Sequence, residues 1–228
     1  MELQESIKNK ISKNYTVKSI TIGDHSVGKS TMINMYINGR FDPNTNVTIG
    51  VGYFHKDILL SDYDDQKIGL RMWDTAGQER FRSIARSYFR DIHVAFIVFD
   101  LTNRKSWEGI DDWKNDLFKY NSHNNISKIV LIGTKSDLRN RVVSEKEMKS
   151  KAEEWGCKYY VISSRNHDSH KNITNMFKTA VEDFHKQMVE NIATGKEVPK
   201  SILEHDESRD KYVNLVGYYG SDDKNCCV

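Results

Sequence analysis

The chain has 228 residues, enough for one well-buried α/β core with an appendage. Its 34 Lys and Arg nearly balance 32 Asp and Glu, for a formal charge of +2. That excludes a dedicated nucleic-acid binder, which carries a basic excess on one face. Hydrophobic residues make up 38% of the chain, as expected of a soluble protein. No run reaches the ~20 apolar residues a membrane-spanning helix needs. Met1 to Asn14 is polar and Lys-rich and lacks the apolar stretch of a secretory signal. Of the three cysteines, Cys157 stands alone and Cys226 and Cys227 are adjacent. That count implies no disulfide framework and points to a reducing compartment.

In chain order, the β-branched run Thr16 to Ile22 reads as a strand and Thr31 to Ile37 as a helix. Phe54 to Leu60 and Lys67 to Trp73 read as two strands joined by the turn Asp62-Tyr63-Asp64-Asp65. Val94 to Leu101 is a near-continuous apolar run, the pattern of a strand buried on both faces. Ser106 to Tyr120 has helical spacing through Trp107, Ile110, Trp113, Leu117 and Phe118. Lys128 to Gly133 is another buried strand. Ser144-Glu145-Lys146-Glu147 is a capping box that opens a helix to about Trp155. A last strand over Lys158 to Ile162 and a last helix over Asn172 to Val189 follow. This alternation predicts a mostly parallel six-stranded sheet flanked by helices, with ligands at the carboxyl ends of the strands. The expected organisation is an extension over 1–14, one domain over 15–190, and a disordered tail over 191–228.

The chemistry begins at Gly23-Asp24-His25-Ser26-Val27-Gly28-Lys29-Ser30, which fits GxxxxGK[ST] between a strand and a helix. Backbone N–H groups of this loop, through Thr31 at the helix N-terminus, suit phosphate oxygens. Lys29 is placed to reach the β- and γ-phosphates and Ser30 to put a hydroxyl on Mg²⁺. A phosphate loop alone does not choose among ATPases, nucleoside kinases and GTPases. Trp73-Asp74-Thr75-Ala76-Gly77-Gln78-Glu79 narrows the choice. There Asp74 can bind Mg²⁺ through water, Gly77 can offer its N–H to a γ-phosphate, and Gln78 can orient an attacking water. A turn with an Asp cap would not need those three groups in that order.

With these motifs the chain resembles the Ras-superfamily GTPases, and among them the Rab family, over roughly Lys18 to Glu190. The specific matches are the phosphate loop, Thr48-Ile49-Gly50, the DTAGQE segment and Thr134-Lys135-Ser136-Asp137. The resemblance implies a P-loop small G domain that cycles between GTP and GDP with Mg²⁺. It implies that Thr48 joins Ser30 and Asp74 around the metal and that Phe41 packs on the guanine. It implies that Asp137 accepts from the guanine N1 and N2 donors and that Lys135 lies along the base. It implies that in Ser163-Ser164-Arg165 the Ser164 N–H meets the guanine O6. Rab character rests on Ile49-Gly50-Val51, Glu79-Arg80-Phe81-Arg82-Ser83-Ile84 and Ser87-Tyr88-Phe89-Arg90. Trp73 and Phe54 are expected to join them in a surface aromatic cluster that reads the nucleotide state. The wording of these segments is most similar to the Golgi-associated Rab subfamily.

The chain also departs from the family pattern. Thr134 stands where most Rabs have Asn, Arg165 replaces Lys, and Gly52 replaces an acidic residue of switch I. His25 is bulky where small residues prevail, and the loop Asn166 to Lys171 reads as longer than usual. His167 and His170 have a spacing a metal site could use, but a solvated loop is the better reading. Cys157 reads as a small core residue.

Asn225 stands where a C-a-a-X box would need Cys, so the Cys226–Cys227 pair is expected to be geranylgeranylated as in Rabs. From Asn191 onward, five Lys and Arg face seven Asp and Glu, so the tail holds no polybasic anchor. The expected protein is a monomeric GTP hydrolase working with an exchange factor, an activating protein, a GDP-dissociation inhibitor and effectors. It would sit by its prenyl groups on the cytosolic face of Golgi or vesicle membranes and cycle with the cytosol. The rival reading is a GTPase-fold scaffold that holds nucleotide without cycling.

Overall fold

Six strands form one sheet in the order β2-β3-β1-β4-β5-β6. They are β1 (Thr16–Ile22), β2 (Val51–Leu60), β3 (Gln66–Thr75), β4 (Val94–Asp100), β5 (Lys128–Thr134) and β6 (Lys158–Val161). The computed structural model describes residues 15–43, 48–60, 66–78, 82–121, 128–166, 168–199 and 202. Met1 to Asn14, the turn Asp62 to Asp65, Glu79 to Phe81, His167, Cys226 and Cys227 lie outside the described residues. Every neighbouring pair is parallel except β2 with β3, which pair antiparallel from Val51↔Thr75 to Leu60↔Gln66.

The helices are α1 (Lys29–Asn38), α2 (Arg82–Ser87), α3 (Arg104–Glu108), α4 (Ile110–Tyr120), α5 (Glu145–Trp155) and α6 (Ser169–Ala193). Parallel strands joined by helical crossovers bury both sheet faces. All seven residues of β4 are accordingly buried. On one face, Met32, Ile33 and Tyr36 of α1 and Phe177, Val181 and Phe184 of α6 pack on Val17, Leu70, Phe96 and Ile132. On the other, Ala85 of α2, Trp107 of α3, Trp113 and Leu117 of α4 and Met148 of α5 pack on Ile20, Ile22, Ile97 and Phe99.

The expected strands and helices recur with shifted ends. The capping box is present: Ser144 Oγ accepts from Glu147 N, and Ser144 N donates to Glu147 Oε2 at 2.9 Å. The helix expected over Ser106 to Tyr120 is two, divided at Gly109. Asn103 starts the first by accepting from Lys105 N and Ser106 N.

Two boundaries need correction. The segment Ser169 to Lys171, read as loop, is the first turn of α6, where Ser169 N donates to Asn166 O and Asn172 N to Asp168 O. At the other end α6 continues to Ala193, past the expected end at Val189. Its last turns still have an apolar surface to cover, because Val198 packs against the core and Ile202 is fully buried in it.

Candidate functional site

The carboxyl ends of β1, β3, β4 and β5 meet at one edge of the sheet. The Gly23–Ser30 loop leaves β1, Asp74 and Thr75 end β3, Asp100 ends β4 and Thr134 ends β5. The strand order places β1 between β3 and β4, and chains diverging from such neighbours leave a crevice. A cleft of about 390 Å³ opens there.

The phosphate-loop residues His25, Ser26, Gly28, Lys29, Ser30 and Thr31 line the cleft with Phe41, Thr48, Gly77 and Gln78. Thr134, Lys135, Asp137, Ser164 and Arg165 line its other end. Four expected site residues stand behind the lining: Asp24, Val27, Asp74 and Ser163. Thr75 and Leu138 line it and were not expected. Thr75 Oγ1 donates to Thr21 O at 2.8 Å, stitching β3 to β1, a role no motif announces.

Gly23 lies against β4: a Cβ there would meet Val98 O at 2.1 Å. Lys29 is buried, and its Nζ donates to Gly23 O at 2.8 Å and Asp24 O at 2.7 Å. Burial lowers its pKa to about 8, against the opposing pull of Asp74 and Asp24. Gly77 abuts the same place. A Cβ on it would stand 2.3 Å from the Asp24 carbonyl and 2.4 Å from Lys29 Nζ, so only glycine fits.

Next to Lys29, the hydroxyls of Ser30 and Thr48 are 2.6 Å apart. Asp74 is buried beside them. Burial raises its pKa above the ordinary carboxylate value, although Ser30, Lys29 and Thr48 pull it down. Its Oδ1 is buried without a hydrogen-bond partner among the described residues. One orphaned carboxylate oxygen beside two hydroxyls is a hard-oxygen set of the kind Mg²⁺ takes, with substrate phosphates completing the shell. Among the described residues no group of three His, Cys, Asp or Glu forms an all-protein cage, His170 included.

At the far end, Ser163 Oγ donates to Asp137 Oδ1 at 2.7 Å and accepts from Arg165 N at 3.0 Å, which fixes the exposed carboxylate. The Arg165 guanidinium lies 5.1 Å from the centre of the Phe41 ring, a cation–π pair across the cleft mouth. Lys135 takes φ 58°, and its Nζ pairs with Asp100 Oδ2 at 2.7 Å. Thr134 Oγ1 lies 2.5 Å from Val27 O and 3.0 Å from Phe99 O, so the unusual Thr ties the phosphate loop to β4 and the end of β5.

The aromatic cluster needs a correction. Trp73 stands opposite Tyr53 in the ladder, and their rings meet edge-on at 5.1 Å. Phe54 stands opposite Met72 and packs in the core on the other face. Side chains alternate along a strand, so adjacent Tyr53 and Phe54 cannot both join Trp73, and the register Tyr53↔Trp73 decides which does. Gly52 pairs with Asp74 in this ladder. Cys157 is half-buried and packs against the second core cluster, and burial lifts its pKa to about 11, which removes it as a nucleophile. No helix among the described residues is long and apolar enough to cross a membrane.

Comparison with known proteins agrees with this geometry. The Ras family model matches residues 18–186. The chain is 39% identical over 175 residues to Ras-related protein Rab-2B of Dictyostelium discoideum, covering 76% of this chain and 83% of the relative. It is 40% identical over 156 residues to Ras-related protein Rab-39A of Homo sapiens, covering 66% and 70%. It is 32% identical over 199 residues to Ras-related protein Rab-27B of Rattus norvegicus, covering 82% and 88%.

Proposed function

The chain belongs to the Rab family of Ras-superfamily small GTPases, and from that premise we propose that it binds GTP and GDP with Mg²⁺, hydrolyses GTP to GDP and phosphate, and recruits effectors to endomembranes in vesicle traffic. One observation carries the reading: the phosphate loop, Thr48, Gly77, Gln78 and the Thr134–Asp137 loop line a single cleft.

In this reading the loop N–H groups and Lys29 hold the phosphates, and the buried ammonium regains by pairing what desolvation costs it. Ser30, Thr48 and Asp74 would hold Mg²⁺, which would neutralise charge on the nucleotide phosphates. Gln78 orients a water in line with the γ-phosphorus. A bond forms from that water oxygen to phosphorus, the bond to the β-phosphate oxygen breaks, and the Gly77 N–H donates to a γ-oxygen. Asp137, held by Ser163, accepts from guanine N1 and N2, groups adenine does not offer as donors. Ser164 N–H meets O6, and Phe41 and Arg165 enclose the base. The Tyr53–Trp73 pair with Tyr88 offers effectors an aromatic anchor. An exchange factor, an activating protein and a GDP-dissociation inhibitor would drive the cycle, with prenyl groups on Cys226 and Cys227 holding the membrane.

Nucleotide extracted from the purified protein should be GDP or GTP. Single-turnover assays should consume GTP and leave ATP intact. Bound guanine nucleotide with no turnover, even with activating proteins, would replace this reading by a non-cycling scaffold.

A further inference from the structure

Strand β2 ends the sheet: β3 pairs with it on one side, and among the described residues no strand lies on the other. It runs ten residues, without proline and in one unbroken register with β3. Edge strands are usually blunted by proline, a bulge or outward lysines, because their open backbone groups accept a further strand.

The ladder fixes which backbone groups face outward. Ala76 N donates to Gly50 O in the register of the hairpin. Gly69, opposite Asp57, donates its N–H to Tyr15 O on the far side of β3. Bonding alternates along an antiparallel ladder, so Gly52, Phe54, Lys56 and Ile58 bond to β3, whereas Tyr53, His55, Asp57 and Leu59 turn their N–H and C=O away from it. The side chains of this second set share one face, where His55, Asp57 and Leu59 are exposed. Lys56, the single lysine of the strand, is turned back: its Nζ donates to Tyr36 O at 2.8 Å and lies 4.3 Å from the centre of the Tyr36 ring.

This edge is complementary to itself. Two β2 strands laid antiparallel about a two-fold axis at Lys56 set outward-bonding residues against outward-bonding residues. His55 then stands opposite Asp57 of the second copy, and Tyr53 opposite its Leu59, each twice over. Shifting the axis by one residue sets His55 against His55 or Asp57 against Asp57. Within one copy Asp57 accepts from Lys67 at 2.7 Å and lies 3.5 Å from His55 Nε2, and a carboxylate has acceptor sites to spare for a third donor. On the other face the two Lys56 side chains meet at the axis, but each ammonium group is drawn off to Tyr36 of its own copy.

We propose that this chain pairs with a second copy of itself through β2, antiparallel about Lys56, so that the two sheets become one. A two-fold contact uses the same patch on both copies, and main-chain bonds along an added strand supply the affinity. No residue of β2 lines the cleft, so the pairing stands apart from the nucleotide reading above.

Sedimentation of the full-length chain over a concentration series should show a monomer–dimer equilibrium. His55→Asp sets carboxylates against carboxylates, and Asp57→His sets imidazoles against imidazoles. Each variant alone should self-associate roughly tenfold more weakly, because a cross-strand pair is lost at two places at once. The two variants mixed should associate with each other about as strongly as wild type, since every carboxylate again faces an imidazole. A wild type that stays monomeric at every concentration overturns the proposal. Self-association that neither variant weakens overturns it too, by placing the contact elsewhere. Weakening that mixing does not relieve also overturns it, because a general disturbance of the strand would act in that way and a complementary edge would not.

Discussion

At the residue scale the proposed base site depends on one carboxylate. Asp137 is exposed but fixed by Ser163 Oγ at 2.7 Å, so in the proposed function it would meet a base without losing rotamer freedom on binding. Asp137→Asn exchanges an acceptor for a side chain that also donates. Each lost hydrogen bond to the charged group should cost about 1.5–3 kcal/mol. Competition of GTP against xanthosine triphosphate should show the variant turning toward the xanthine base; an undiminished preference for GTP would remove Asp137 from the base site. Gln78 stands at the phosphate end. Gln78→Leu should slow single-turnover hydrolysis ten- to a hundredfold, roughly 1.4–2.7 kcal/mol of barrier, while nucleotide affinity barely changes. Equal rates in variant and wild type would exclude Gln78 from the chemistry.

At the element scale, helix α6 is tied to the first strand by a buried polar pair. His185 Nδ1 lies 2.8 Å from Tyr15 Oη, and the two rings stack. Burial lowers the His185 pKa from 6.5 to about 4. The folded state therefore keeps the imidazole neutral where the unfolded chain has already protonated it. This contribution is complete above pH 6.5 and is lost as pH falls from 6.5 toward 4, at most about 1.4 kcal/mol per pH unit for one proton. Denaturant unfolding of wild type and His185→Gln between pH 4.5 and 7.5 should show a shallower pH slope in the variant. Coincident slopes would mean that His185 does not titrate with folding.

Over the whole molecule, the domain extends past the point where helical periodicity fades. Val198 and Ile202 return to the core shared by α1, α6 and the sheet. A chain ending at Gly195 would leave that surface wet. Full burial of an Ile side chain contributes about 1.5–3 kcal/mol, so the truncated protein should lose about that much unfolding free energy while keeping guanine-nucleotide binding. Unchanged stability would show that the packing of Val198 and Ile202 adds nothing.

Local rules account for what could be read ahead of the fold. Strand runs, the capping box at Ser144 and the phosphate loop are short-range patterns, each complete within about eight residues, and all recur in the structure. The order of motifs along the chain also announced the cleft, because parallel crossovers return every strand end to one edge. Which of Tyr53 and Phe54 meets Trp73 was not legible, because the two-residue period separates their faces and only the hairpin register decides between them. Nor was the contact of Trp113, since its partner Asp24 lies 89 positions away and only the packing of α4 on the sheet brings them together. The same holds for Arg165 over Phe41 and for Thr134 on Val27. Local propensity encodes elements and loops, whereas contacts between distant side chains depend on how the helices settle on the sheet, which no window of sequence contains.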